Sequence, residues 1–373
     1  MMTSWNLRDK ACIVGVGTTP NGNFPETDSY GLGAQALLVA LEDAALTHRD
    51  LDGLLVCRIP SYEQFALMTG INPRYCHPVN MAGRFSAVSL MMATEAIATG
   101  VATTVAIVYG NNGRSNRMNY GGAEGGQWNP WGMTSPGATH AMMYRAYMDQ
   151  FGYGTEPLAD VAMAFRKHAL LNPAAVMKKP MTFEDHQSAR PICEPLHLLD
   201  YCQINDGGVA LIVTSAERAK DLRRPPVYVS GYARQDVFDR AEPRLDYWYP
   251  VLQKVASEVY ERAGISREEI DGLMIYDNFT PTVLFTLEGL GFCEQGAAPA
   301  FIKDGTLELG RGRLPTNTDG GHLSNSYMQG WGLLAEAALQ LRGDCGARQI
   351  LDARAIQYGC ATNISTSIIL RRD

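Results

Sequence analysis

Eight cysteines stand at positions 12, 57, 76, 193, 202, 293, 345 and 360. None belongs to a Cys-x-x-Cys pair, and no His-Glu-x-x-His occurs, so neither a structural zinc site nor a disulfide framework is predicted. Scattered thiols of this kind predict buried, reduced side chains in a cytoplasmic protein. Nucleotide motifs fail too. Val14-Gly15-Val16-Gly17 follows a predicted strand, but Pro20 stands where a dinucleotide fingerprint needs glycine, and no acidic residue closes a compact βαβ unit. The sequence has no Gly-x-x-x-x-Gly-Lys-Ser/Thr and no Gly-x-Ser-x-Gly nucleophile elbow. The pairs Gly121-Gly122 and Gly125-Gly126 suit a tightly folded loop better than a phosphate cradle. Arg166, Lys167, Lys178, Lys179 and Arg190 cluster along the chain and can meet an anionic group; a solvated basic face is the plainer reading.

Any chemistry must be positioned by regular elements, and the composition provides for them. Of 373 residues, 46% are apolar and 19% charged, which is globular and excludes disorder as the main state. The balance of 32 basic against 39 acidic residues, net −7, excludes a general nucleic-acid-binding surface. No apolar run approaches the roughly 18 residues that span a bilayer. The opening MMTSWNLRDKACIVGVG lacks a basic stretch followed by a long apolar one, so no signal peptide is expected. The 37 glycines follow no repeat and imply many tight turns or close backbone approaches.

An internal duplication organises the chain. AQALLVALEDAALTHRDLDGLLVC sets apolar residues at helical spacing, turns at Thr47-His48-Arg49, and enters an apolar strand. LQKVASEVYERAGISREEIDGLMIYD repeats that order, so that Asp52-Gly53-Leu54 matches Asp271-Gly272-Leu273. A second pair of segments, SLMMATEAIATGVATTVAIVYG and GLLAEAALQLRGDCGARQILDARAIQYG, matches Gly100 with Gly343. Gly at a helix end supplies the left-handed conformation; Ala45 in the first copy departs from that preference. Strands alternating with helices predict an α/β fold. The first half, 1–222, carries an irregular insertion over about 110–200; the second half is 223–373.

The stretches RKHALLNPAA, KKPMTFEDHQSAR, ICEPLHLLDYCQINDGGVALIVTSAERAKDL, IYDNFTPTVLFTLEGLGFCEQG and LPTNTDGGHLSNSYMQGWGLLAEAALQLRG carry a resemblance over essentially the whole length. The chain resembles the thiolase superfamily, and within it the sterol-carrier-protein-X thiolases and the lipid-transfer-protein-type steroid side-chain aldolases. The resemblance implies two duplicated βαβαβαββ halves in a five-layer αβαβα fold, with a loop domain inserted in the first half. A thiolase needs a cysteine thiolate at the start of a buried helix. That place holds Gly83 here, and Cys76 lies seven residues upstream. The histidine place of the Gly-His-Pro motif holds Tyr327. The oxyanion place of the Asn-Glu-Ala-Phe motif holds Tyr276, in Tyr276-Asp277-Asn278-Phe279. Cys360 lies about one residue from the family's second cysteine.

Acyl transfer through a cysteine thioester is therefore not expected. The pattern resembles the aldolases, which implies retro-aldol cleavage of a β-hydroxyacyl-CoA to a ketone and a short acyl-CoA, propionyl-CoA for a 22-carbon steroid skeleton. Tyr276 and Tyr327 are then expected to share the acid and base roles; the alternative is two structural tyrosines. Asp277 polarises Tyr276 or caps a helix. Gly83, Gly320, Gly321, His322 and Cys360 line the substrate, or else pack and turn. The five basic residues fall where the resemblance implies CoA phosphates bind. Phe85, Trp128, Trp131 and Trp331 line an apolar pocket or belong to the core. No cofactor is expected beyond the CoA of the substrate. A homodimer, a small OB-fold/zinc-ribbon partner and an associated hydratase are implied by the resemblance alone. The rival readings are an acyltransferase with an unrecognised cysteine and a non-catalytic acyl-CoA- or lipid-binding scaffold.

Overall fold

Strands covered on both faces are unbroken apolar runs, and every residue from Thr104 to Asn111 is buried. A computed structural model describes residues 6–79, 85–118, 129–133, 135–236, 246–362 and 364–373. The first half begins β1 (Ala11–Thr18), α1 (Ser29–Ala44), β2 (Gly53–Cys57), α2 (Tyr62–Thr69), β3 (Tyr75–Pro78), α3 (Phe85–Ala98) and β4 (Thr104–Asn111). The insertion contributes α4 (Pro136–Phe151), α5 (Glu156–Leu171), α6 (Phe183–Gln187) and the small ribbon β5 (Pro191–Cys193) and β6 (Leu196–His197). The chain returns through β7 (Gly207–Ser215) and α7 (Ala216–Ala219). The second half runs β8 (Val227–Asp236), α8 (Trp248–Ala263), β9 (Gly272–Ile275), α9 (Thr280–Gly289), α10 (Ala298–Ile302), α11 (Trp331–Arg342), β10 (Ala355–Cys360) and β11 (Ile364–Arg371).

Among the described residues nine strands form one sheet, ordered β3-β2-β4-β7-β1-β8-β11-β10-β9. Two sub-sheets meet where Cys12 pairs with Tyr228 and Ile13 with Val227. Alternation along the strands sends Val105, Ile107 and Leu211 to one face and Ala106, Val108 and Ile212 to the other. The first set packs on α3 and α11, whose opposite sides meet Val229, Ile356 and Ile368 of the second sub-sheet. The second set packs under α1 and α2. Leu273, Ile275 and Ile369 pack outward under α8 and α9. The layers are therefore α-β-α-β-α, with α3 and α11 in the middle. The glycines of β1 permit this packing: a Cβ on Gly17 would run into the Ala36 carbonyl of α1.

The duplication repeats down to single hydrogen bonds. The Asp52 carboxylate accepts from the N–H of Thr103 and Thr104 at 2.8 Å each, fixing the start of β4. Asp271 does the same for β10 through Arg354 and Ala355, at 2.6 and 3.0 Å. Ala45 takes the left-handed conformation (φ 54°) that Gly264 takes in the second copy (φ 62°). One difference matters for the site. The second half's third strand is reduced to a bridge between Leu273 and Thr316. The side chain of Asn317 extends that edge, accepting from Ile275 N–H at 2.7 Å and donating to the Ile275 carbonyl at 2.8 Å. No helix among the described residues is long and apolar enough to cross a membrane.

Candidate active site

Ligand sites in α/β sheets form beyond the carboxyl ends of parallel strands. Tyr276 stands one residue past β9, with its N–H on the Gly359 carbonyl of β10 at 2.9 Å. Tyr327 follows a π-helical turn, Gly321–Asn325, and its N–H reaches the Gln203 carbonyl at 2.8 Å. These residues lie far apart in sequence, yet their hydroxyls are 2.7 Å apart in a buried environment. His322 packs edge-on against both rings, with centroids at 4.8 Å from Tyr276 and 5.1 Å from Tyr327. A third phenol, Tyr358, is fully buried and lies 3.3 Å from Ser86 Oγ at the start of α3. Gly330 makes room for the cluster: a Cβ there would lie 2.5 Å from Ser86 Oγ and 2.7 Å from the Tyr358 hydroxyl. Tyr358 and Gly330 lie in the segments AIQYG and SYMQGWG, but only their spatial neighbours mark them as part of the site.

Burial pushes Tyr276 well above the usual tyrosine value, and the neighbouring Tyr327 adds to the effect. Tyr276 therefore rests as a neutral phenol, its hydroxyl sharing a hydrogen bond with that of Tyr327. Asp277 does not act on the Tyr276 hydroxyl. Its carboxylate accepts the N–H groups of His322 (2.9 Å) and Leu323 (3.1 Å), so of its two expected roles it takes the capping one, on the π turn. Burial raises its carboxyl well above the usual range, against the pull of those two donors. The imidazole of His322 accepts Gly330 N–H at Nε2 (2.9 Å), which places the proton of the neutral ring on Nδ1, 3.4 Å from Asp277 Oδ1. Burial lowers its pKa to about 3, so it stays neutral. Through Nε2 the ring also holds the start of α11 against the π turn.

The remaining expected site residues divide. Gly320 (φ 103°) and Gly321 (φ 62°) open the π turn in backbone that favours glycine. Cys360 ends β10, buried, with Sγ 3.7 Å from Thr362 Oγ1. Gly83 and Trp128 lie outside the described residues. Trp331 is core, stacked on Tyr109, whereas Trp131 is 77% exposed. Burial raises the thiols of Cys12, Cys57 and Cys293 to about 12, and those of Cys202 and Cys345 also rise, the opposite of what a nucleophile needs. Among the described residues no three His, Cys, Asp or Glu side chains converge as a metal site.

Residues 241–372 match the family model described as the thiolase C-terminal domain. A steroid side-chain-cleaving aldolase of Thermomonospora curvata is 36% identical over 390 residues, covering 98% of this chain and 99% of that one. The chain belongs to the thiolase-like steroid side-chain-cleaving aldolases. The 17-hydroxy-3-oxo-4-pregnene-20-carboxyl-CoA lyase of Mycobacterium tuberculosis is 37% identical, covering 90% of this chain and 92% of that one. The solved Ltp2-ChsH2(DUF35) aldolase superposes with a TM-score of 0.92 at 36% identity, over 98% of this chain and 99% of that chain.

In this aldolase the five cations take unequal places. Arg166 is buried, and its guanidinium is spent on Ser324 Oγ and the Lys179 carbonyl, each at 3.0 Å. It points inward onto the π turn and the segment beside it, away from solvent where a phosphate was expected. Lys167 pairs with Glu308 at 2.7 Å. Lys178 donates to the carbonyls of Asn172 and Pro173, at 3.0 and 2.7 Å. Lys179 and Arg190 are exposed. The N–H groups of Val176 and Met177 bond the carbonyls of Asn325 and Ser324 at 3.1 Å each, so Lys178 and Lys179 directly follow a segment laid along the π turn.

Proposed function

We propose that this aldolase cleaves a β-hydroxyacyl-CoA whose hydroxyl is tertiary, of the steroid 17-hydroxy-20-carboxyl type, with Tyr276 and Tyr327 as its catalytic residues. The observation that carries this reading is the 2.7 Å contact between their hydroxyls. In the retro-aldol step the hydroxyl loses its proton and its oxygen becomes a ketone. The bond between the α and β carbons breaks, and its electron pair forms the thioester enolate. Protonation of the α carbon then releases the short acyl-CoA. The proton lost and the proton gained are equal in number, so the step balances without an external acid, base or oxidant. A pair of phenols performs that exchange well. One takes the hydroxyl proton as its own passes through the other to the enolate, and no phenolate need accumulate at a site where burial opposes it. Donors fixed on the enolate oxygen add roughly 3 kcal/mol each.

Lys178, Lys179 and Arg190 are the cations left for the CoA phosphates. Among the described residues β3 is an edge strand, half exposed, and such an edge suits pairing with a second copy in a homodimer. The name of the structural relative supports a small OB-fold/zinc-ribbon partner, and the tertiary hydroxyl calls for a hydratase upstream. Eight free cysteines suit a reducing cytoplasm. The test is product identification by mass spectrometry with a panel of β-hydroxyacyl-CoAs. Tyr276→Phe and Tyr327→Phe are each expected to lower kcat by about 10²- to 10⁴-fold; near-wild-type rates in both would overturn the assignment.

A further inference from the structure

Among the buried polar atoms that the tyrosine pair does not use is the side-chain oxygen of Asn278. Asn278 lies two residues beyond Tyr276, at a bend just before the Tyr201–Phe279 bridge. Its backbone carbonyl accepts from Cys202 N–H at 3.1 Å. The residue is only 9% exposed, and its side-chain nitrogen lies 3.4 Å from Nε2 of His140, near the start of α4. Nδ1 of His140 sits 2.8 Å from the Pro136 carbonyl. A carbonyl only accepts, so Nδ1 carries the proton and Nε2 presents a lone pair. Burial holds His140 neutral by lowering its pKa to about 4. The Asn278 amide is thus oriented: its nitrogen faces His140, and Oδ1 is turned to the other side. That oxygen is buried and has no hydrogen-bond partner among the described residues. An unmade hydrogen bond at a buried carbonyl is costly, so the oxygen calls for a donor, from a water or from a ligand.

The donors on a β-hydroxyacyl-CoA close to the reacting carbons are few. The hydroxyl proton belongs to the tyrosine pair. The next donor is the amide N–H of the thioester arm, three bonds from the sulfur, and α4 belongs to the same insertion as the lysines described above. We infer that Asn278 Oδ1, oriented by His140, accepts the first amide N–H of the thioester arm and so sets the register of the thioester against the tyrosines. The inference rests on the lyase reading for the identity of the substrate, but its test reads binding rather than turnover.

Two thioesters of one acyl group serve as probes: the N-acetylcysteamine thioester, and the S-(4-oxopentyl) thioester in which CH₂ replaces N–H. Calorimetry on the full chain is expected to show wild type binding the amide about tenfold more tightly than the ketone. Asn278→Leu removes that preference, and His140→Leu, which frees the amide to turn, reduces it. Melting curves establish that at least one variant is folded. Equal binding of the two probes by wild type, or a full preference retained in the folded variants, overturns the inference. A preference without C–C cleavage sinks the lyase reading alone; cleavage without a preference sinks the amide assignment alone.

Discussion

At the scale of single residues, the chemistry turns on which groups are kept neutral. Tyr276 is held protonated by burial and by its neighbour, which suits the proposed exchange of protons with Tyr327 better than the part of a standing base. His322, which supplies general-base chemistry in so many enzymes, is spent on Gly330 and kept neutral. It has a measurable consequence for stability. In the native state His322 stays neutral down to about pH 3. In the unfolded chain the imidazole takes up a proton below about pH 6.5. Acid therefore favours unfolding through this residue. Its contribution is whole above pH 6.5 and is lost as pH falls toward 3. Asp319 works the other way: its carboxyl is raised to about 6 by burial and by Glu336, so its strain on the fold is relieved as pH falls below 6. His322→Gln, which keeps an acceptor for Gly330, is expected to flatten the loss of stability between pH 6.5 and 4 in urea melts. An unchanged acid limb would show that His322 does not titrate as described.

At the scale of elements, the π turn Gly321–Asn325 is the part on which the site depends. Asp277 holds its N–H groups, Asp319 accepts from Gly321 N–H at 2.8 Å and from the Asn325 side chain at 2.7 Å, and Arg166 holds Ser324. Behind it, Asn317 stands in for a missing strand. Asn317→Ala strips both backbone groups of Ile275 of their partner and is expected to cost roughly 2 to 4 kcal/mol, read as a lowered urea midpoint. A loss under 0.5 kcal/mol would show that the edge re-pairs without it. Much of this level is legible in the sequence. Periodicity gives the helices and strands, and the Asp-Gly-Leu repeat gives the duplication, because these signals are local. The tyrosines were reached through the motif positions that they occupy in a resemblance. The π turn, the amide of Asn317 and the inward turn of Arg166 were not legible. Each depends on contacts between distant segments, as Arg166 with Ser324, 158 positions apart, and no local pattern encodes them.

At the scale of the whole molecule, the first half braces the site that the second half carries. Arg58, at the end of β2 with φ 63°, donates to the Gln329 side chain at 3.0 Å, and Gln329 itself has φ 49° beside Gly330. Asn21 reaches Asn325 at 3.3 Å. Two left-handed non-glycine residues joined across the halves mark a junction that the surrounding structure enforces. The proposed mechanism puts proton transfer, not a thiol, at the centre of a thiolase fold. Iodoacetamide treatment of the folded enzyme is therefore expected to leave most activity intact, since the thiols with raised pKa react slowly and none is required; complete inactivation would restore the acyltransferase reading. The most direct measurement is product analysis of 17-hydroxy-3-oxo-4-pregnene-20-carboxyl-CoA incubated with wild type, Tyr276→Phe and Tyr327→Phe, with the small partner protein present. Equimolar 17-ketosteroid and propionyl-CoA from wild type, and their loss in both variants, is the predicted result. An intact substrate with wild type, or undiminished cleavage by both variants, would contradict it.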